Sequence, residues 1–178
     1  QSRSSAASDV YKRQHTGRKI PLGTREVDNY EFPSWLYNKI LYVEKKGFVE
    51  PFLTAEIPER YDMALVAAEG YSSEAIRTLF QNADRETNYK IFVLHDCDPY
   101  GYNIARTLRE ETKRMPGYRV DVIDLGLNLD EALKMGLEIE EFSRKKALPA
   151  SLKLTPLELE YFTGEEVVIG KVWKAKRI

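Results

Sequence analysis

Apolar residues fall alternately into short continuous runs and into spaced stripes. "ILYVE" (40–44), "MALVAA" (63–68), "KIFVLHD" (90–96) and "RVDVIDL" (119–125) read as strands, the middle two apolar on both faces as in a covered parallel sheet. The stretches between carry a helical period. "SSEAIRTLF" offers Ser72 or Ser73 as a cap and then sets Ala75, Ile76, Leu79 and Phe80 on one stripe. "YNIARTLREETKRM" (102–115) repeats the arrangement with Ile104, Ala105, Leu108 and Met115, and Pro116 with Gly117 closes it. Strands and helices in alternation predict an α/β fold, a central and mostly parallel sheet of about four strands flanked by helices. Right-handed crossovers then bring the carboxyl ends of the strands to one rim, where such sheets bind ligands.

After residue 126 the pattern weakens. "NLDEALKMG" predicts a short helix with Asn128 as its cap and Glu131 three residues on. A charged, partly helical stretch split by Pro149 and Pro156 follows, then "EEVVIG" as a last strand and "KVWKAKRI" as a basic end. The organisation expected is a non-native or disordered leader over 1–14, outside the fold, a linker or entry segment over 15–39, a core over 40–126, and a helical extension with a final strand and basic tail over 127–178. A length of 178 residues needs no more than one domain.

The run that ends in "HDCDPYG" raises a chemical question. Asp96 and Asp98 at the end of an apolar strand repel each other and lose hydration, so folding stability gives no reason to place both there. In extended backbone residues i and i+2 face the same way, so the two carboxylates converge while Cys97 turns inward. Glu44 ends "ILYV" and by topology shares their rim; Glu69, just before Gly70 in "AAEGYSS", is a further candidate acid. Such a rim suits a hard divalent cation, Mg2+ or in its place Mn2+, which takes carboxylate oxygens and keeps several waters. Helices starting near Ser72 and Tyr102 would turn their positive ends toward it. Ordinary readings stand beside this one: a D-x-D as a solvated strand end, Glu44 paired with Lys45 or Lys46, Glu69 as a surface acid. His95, opposite Asp96 in the alternation, reads as a packed residue rather than a ligand.

Composition narrows the class. Twenty-seven Lys and Arg stand against 28 Asp and Glu, a net charge of -1, so contact with a polyanion must be local. Two basic clusters offer it, Arg144, Lys145 and Lys146 in one, Lys171, Lys174, Lys176 and Arg177 in the other, although solvated surface has the same composition. The single cysteine excludes an intramolecular disulfide framework and a cysteine-based zinc cluster, and no stretch approaches the ~18 apolar residues of a membrane span. A reducing, intracellular setting without a membrane partner is expected. The first fourteen residues lack an initiating methionine and the apolar core of a secretory signal. They resemble the translated junctions found at the ends of reading frames assembled from environmental sequencing, and the natural protein is expected to extend upstream.

"YVEK", followed 52 residues after its glutamate by "DCDPYG" and with "AAEGYSSEAIRTLF" between, resembles the Toprim domain of the topoisomerase VI A subunit and of its relative that makes meiotic double-strand breaks. The resemblance spans about residues 37–125. It implies that Glu44, Asp96 and Asp98 bind Mg2+, with Glu69 a weaker addition because an acid stands before the glycine of the matching turn. It also implies an enzyme, a type IIB DNA topoisomerase, that cleaves double-stranded DNA by tyrosine transesterification, as a homodimer and with a GHKL-type ATPase B subunit, in the cytoplasm at the nucleoid. The family's nucleophile lies in a preceding winged-helix domain. No such stretch is found among the roughly 39 residues before the first expected strand, so this chain alone is expected to hold the metal half of the site and no catalytic tyrosine.

Two other classes stay open. A stand-alone Toprim nuclease would activate water with the metal and needs a general base, for which Glu69 and His95 are the local candidates. A non-catalytic Toprim module for DNA binding or dimerisation would tolerate loss of the acids, yet all three are present. A haloacid dehalogenase type phosphatase fits less well, because Tyr100 stands where a threonine or valine would follow the second aspartate.

Overall fold

The computed structural model describes residues 11–13, 19–21, 38–67, 74–87, 89–144, 152, 154–163 and 173–177. The chain divides into two compact units, one of residues 1–94 and 104–125, the other of residues 95–103 and 126–178. The first unit is interrupted in sequence by nine residues of the second.

The first unit is built on a six-stranded sheet. Its strands are β1 (Tyr11–Arg13), β2 (Lys19–Pro21), β3 (Lys39–Val43), β4 (Ala64–Ala67), β5 (Lys90–Leu94) and β6 (Val122–Asp124), in the order β2-β1-β4-β3-β5-β6. The four strands β4, β3, β5 and β6 run parallel, while β1 joins β4 and β2 antiparallel. The parallel α/β core is the one expected from the pattern; the antiparallel edge widens it. Three short helical segments link β3 to β4: a 3-10 turn (Lys46–Phe48), α1 (Val49–Thr54) and α2 (Ile57–Tyr61). The long helix α3 (Glu74–Thr87) links β4 to β5, and α4 (Pro99–Arg109) follows β5.

Alternation along the strands divides the core. Ile40, Tyr42, Val66, Ile91 and Val93 pack with Ala75, Ile76, Leu79, Phe80 and Ala83 of α3 and with Ile104, Ala105 and Leu108 of α4. Their neighbours Leu41, Val43, Leu65 and Ala67 turn the other way, onto Val49 and Leu53 of α1. All four residues of β4 are buried, as a strand covered on both faces requires. The stripes read from the sequence for both helices are therefore their core faces.

The boundaries of α4 differ from those expected. Apolar spacing places it over 102–115, whereas it runs over 99–109. At its start, Asp98 caps the helix and Pro99 takes the first position, where its missing N–H and fixed φ cost nothing. At its end, the Arg109 carbonyl accepts from the Val120 amide and the Glu110 carbonyl from Arg77, so the acceptors a further turn would use are occupied. Met115 still packs against the core from the turn beyond.

In the second unit Cys97, Leu129, Ala132 and Phe162 form a small buried core, with Tyr102, Leu127, Leu154 and Tyr161 packed on it. Helix α5 (Leu129–Lys134) is capped as its sequence predicts, the Glu131 amide donating to Asn128 Oδ1 at 2.9 Å. β7 (Glu140–Arg144) pairs antiparallel with β8 (Trp173–Arg177), and α6 (Pro156–Thr163) lies between them in sequence. Pro156 opens α6 rather than breaking a helix. The expected strand "EEVVIG" and the caps Ser72 and Ser73 lie outside the described residues.

Candidate metal centre

Parallel register brings the ends of β3 and β5 level. Val43 pairs with Leu94, and the Glu44 amide donates to the Leu94 carbonyl at 3.1 Å, so Glu44 extends the ladder by one residue. Glu44 is half-buried in the first unit. Burial, reinforced by the Glu44 carboxylate, raises the phenol of Tyr42 two residues earlier.

Past Leu94 the chain enters the second unit as a tight loop. The Asp96 carbonyl accepts from the Asp98 amide at 3.0 Å and lies 2.7 Å from His95 Nδ1. A carbonyl only accepts, so Nδ1 carries the proton in that bond. Asp98 Oδ1 accepts from the amides of Tyr100 at 2.8 Å and Gly101 at 2.7 Å. This is an N-cap made by a charged acceptor at the positive end of α4, a strong form of that interaction. Asp96 and Asp98 are half-buried and Cys97 between them is fully buried, as alternation requires. Burial pushes the Cys97 thiol up, and its side chain packs in the small core with Leu129, Ala132 and Phe162.

His95 is enclosed. Its ring is 5% exposed, sits 5.4 Å from the Tyr102 ring, and leaves no room for a Cβ at Gly126. A Cβ at Gly101 would collide with the Asp96 carbonyl and stand 2.8 Å from His95 Nδ1. These glycines are required by close approach. The Tyr102 hydroxyl accepts the Leu129 amide at 2.7 Å, tying the start of α4 to the start of α5. The bond at Nδ1 leaves Nε2 as the nitrogen with the lone pair, and the close approach of Gly126 encloses that edge of the ring.

The donor chemistry fits a hard cation. A carboxylate offers about four acceptor sites, and the two amide bonds of Asp98 use only one of its oxygens. Among the described residues no three His, Cys, Asp or Glu side chains gather as a metal-holding cluster. Mg2+ does not require one, since it is usually held by one or two carboxylates together with waters and substrate phosphates. Glu69 lies outside the described residues.

A family model for the Toprim domain of the topoisomerase 6 A subunit and Spo11 matches residues 39–147, from the start of β3 to just past β7. The chain belongs to this family. Among curated proteins, this Toprim chain is similar to the A subunit of type 2 DNA topoisomerase 6 from Pyrococcus horikoshii, with 29% identity over 83 residues. That match covers 47% of this chain and 22% of the relative. The corresponding subunits of Pyrococcus abyssi (27% over 84 residues) and Methanothermobacter thermautotrophicus (23% over 82) cover 47% and 46% of this chain, and 22% and 23% of their own lengths. The matched region thus spans less than a quarter of each relative.

Within the Toprim chain the basic residues proposed for DNA contact are distributed unevenly. Lys145, Lys146 and Lys171 lie outside the described residues. Arg144 ends β7 and Lys174 belongs to β8, at neighbouring positions of the ladder (Arg144↔Trp173, Ser143↔Lys174). Arg144 of the first cluster and Lys174, Lys176 and Arg177 of the second therefore belong to one antiparallel pair. Lys176 and Arg177 stand opposite Glu141 and Glu140 in register. No helix among the described residues is long and apolar enough to cross a membrane.

Proposed function

We propose that this chain is the Mg2+-binding Toprim portion of a protein of the topoisomerase 6 A type that cleaves double-stranded DNA at the nucleoid. The observation that carries the reading is the Asp98 carboxylate, fixed by two amides at the head of α4, four residues beyond the Leu94 carbonyl that receives the Glu44 amide. Glu44, Asp96 and Asp98 would hold the cation, and Mn2+ would substitute for it. When bound, Mg2+ supplies positive charge for the phosphate oxygens of the scissile linkage. The chain's own part is preorganisation. Asp98 is held by the Tyr100 and Gly101 amides, the Asp96 backbone is pinned by the Asp98 amide and the His95 ring, and Glu44 is carried by a buried central strand. The nucleophilic tyrosine would come from a domain outside this chain, so the chain alone would not cleave DNA.

Arg144 and Lys174 are the residues we assign to DNA contact, because neither stands opposite an acid in the β7–β8 register. Lys145, Lys146 and Lys171 belong to the same proposal by composition, and Glu69 is retained as a possible fourth acid. A homodimer, and a GHKL-type ATPase B subunit as partner, are part of the same reading. Leu133, Met135, Leu137 and Ile139 expose apolar side chains along one short stretch of the second unit, a composition suited to contact between protomers.

The test is titration calorimetry with Mn2+ on this chain beside an Asp96→Asn/Asp98→Asn variant, with and without a short DNA duplex. Binding that is lost in the variant supports the carboxylate site. Equal heats from both proteins, in both conditions, would remove these aspartates from it.

A further inference from the structure

Arg77, in the first turn of α3, is 5% exposed. Its Nη1 donates to Thr112 Oγ1 and its Nη2 to the Glu110 carbonyl, both at 2.6 Å, and its guanidinium carbon lies 4.1 Å from the centre of the Tyr118 ring. None of these partners is anionic, and among the described residues no carboxylate forms an ion pair with Arg77. Its Nε is buried without a hydrogen-bond partner. A buried cation with neutral partners and an unused donor is an unfavourable arrangement until an anion joins it.

The space for one is present. Arg77 lines a cavity of about 280 Å³, far above the ~10–15 Å³ that admits one water. Thr107, Thr112, Lys113 and Arg114 line it too, with Glu74 as its one acid. The turn that carries Lys113 and Arg114 is tied by reciprocal backbone bonds between Thr112 and Met115, at 3.3 and 3.0 Å. Three cations therefore line the cavity beside the Thr112 hydroxyl, while the Thr107 hydroxyl donates to the Ile104 carbonyl at 2.9 Å, and guanidinium and ammonium donors of this kind match a tetrahedral oxyanion.

We infer that this cavity is a phosphate-binding site. The phosphate belongs either to a small molecule or to a nucleic-acid backbone, which present the same oxyanion chemistry. The inference uses none of Glu44, Asp96 or Asp98 and stands independently of the metal reading.

The test is an NMR titration of the full 178-residue chain with inorganic phosphate, in chelator and at constant ionic strength set with chloride. The expected result is saturable movement of the Arg77 Nε–H signal and of the amides from Thr112 to Met115. A Lys113→Ala/Arg114→Ala variant, altered only at exposed positions, should keep the remaining spectrum and bind about tenfold more weakly, as expected when charge-assisted contacts are removed. Movement that stays linear in phosphate and matches that in chloride alone would overturn the site. So would unchanged affinity in the variant. In a second arm a short DNA duplex replaces phosphate: the same signals moving, with phosphate competing, identifies a backbone phosphate, and movement with phosphate alone identifies a small molecule. Because chelator is present throughout, failure here leaves the metal proposal untouched, and the reverse holds.

Discussion

Gly126 stands against the His95 imidazole with no space between them for a side chain. Gly101 closes the other approach, near Nδ1, and the Tyr102 ring packs alongside. The ring is thus a fitted part of the wall behind the Asp96 carbonyl, and its worth to the protein is positional.

Adding one methyl group at Gly126 should show this. Gly126→Ala must displace the ring or the loop and is expected to destabilise by about 1–3 kcal/mol, the range for overpacking a filled site. Gly47→Ala, where a Cβ meets nothing within 4 Å, should stay within ~0.5 kcal/mol. Urea unfolding of the two variants makes the comparison.

Asp98 has two separable roles. Asn retains an oxygen for the Tyr100 and Gly101 amides, so Asp98→Asn should cost little stability, while Asp98→Ala should cost ~1 kcal/mol through loss of the cap. Both should lose Mn2+ binding if the carboxylate is a ligand. A variant that is stable yet silent in calorimetry separates the ligand from the cap.

Arg77 should not tolerate lysine. A single ammonium cannot reproduce the fork to Thr112 and Glu110 together with the flat contact on Tyr118, and the Glu110 carbonyl or Thr112 hydroxyl would lose its donor. Arg77→Lys is expected to destabilise by about 1–3 kcal/mol, read from the denaturation midpoint.

Tyr118 makes the fold sensitive to alkali. Burial, opposed by the Arg77 guanidinium, pushes its phenol from 10.0 up to about 12. The folded chain then keeps a proton that the unfolded chain releases, so this contribution is intact below pH 10 and is lost as pH rises toward 12. Tyr118→Phe should flatten part of the fall in melting temperature across that window. It should also cost ~1 kcal/mol at neutral pH, for the bond from its hydroxyl to the Leu108 carbonyl. The raised phenols of Tyr42 and Tyr102 keep some of the slope in place.

The parallel core was legible because buried strands and amphipathic helices leave opposite periodicities: "ILYV" and "KIFVL" are β3 and β5, and Ala75, Ile76, Leu79 and Phe80 face the core as spaced. The start of α4 was missed although its signal is local. Asp followed by Pro is a cap and a first position, and apolar spacing alone overlooked it. The pairing of β7 with β8 was not legible, since its strands lie about thirty residues apart and their sequences, "EEFSR" and "WKAKR", carry little apolar alternation. Nor was the environment of Arg77, because its acceptors at Glu110 and Thr112 lie 33 and 35 residues away and one of them is backbone.

The loop that bears the aspartates belongs with residues 126–178 and not with the sheet that precedes it. A chain cut after Leu125 would retain all four parallel strands yet remove Leu129, Ala132 and Phe162 from around Cys97, and the Leu129 amide from Tyr102. The smallest transplantable form of this module therefore reaches past the sheet, because trimming it there would keep the acids and the amides that cap Asp98 while stripping the apolar packing from Cys97 and Tyr102 between and beside them.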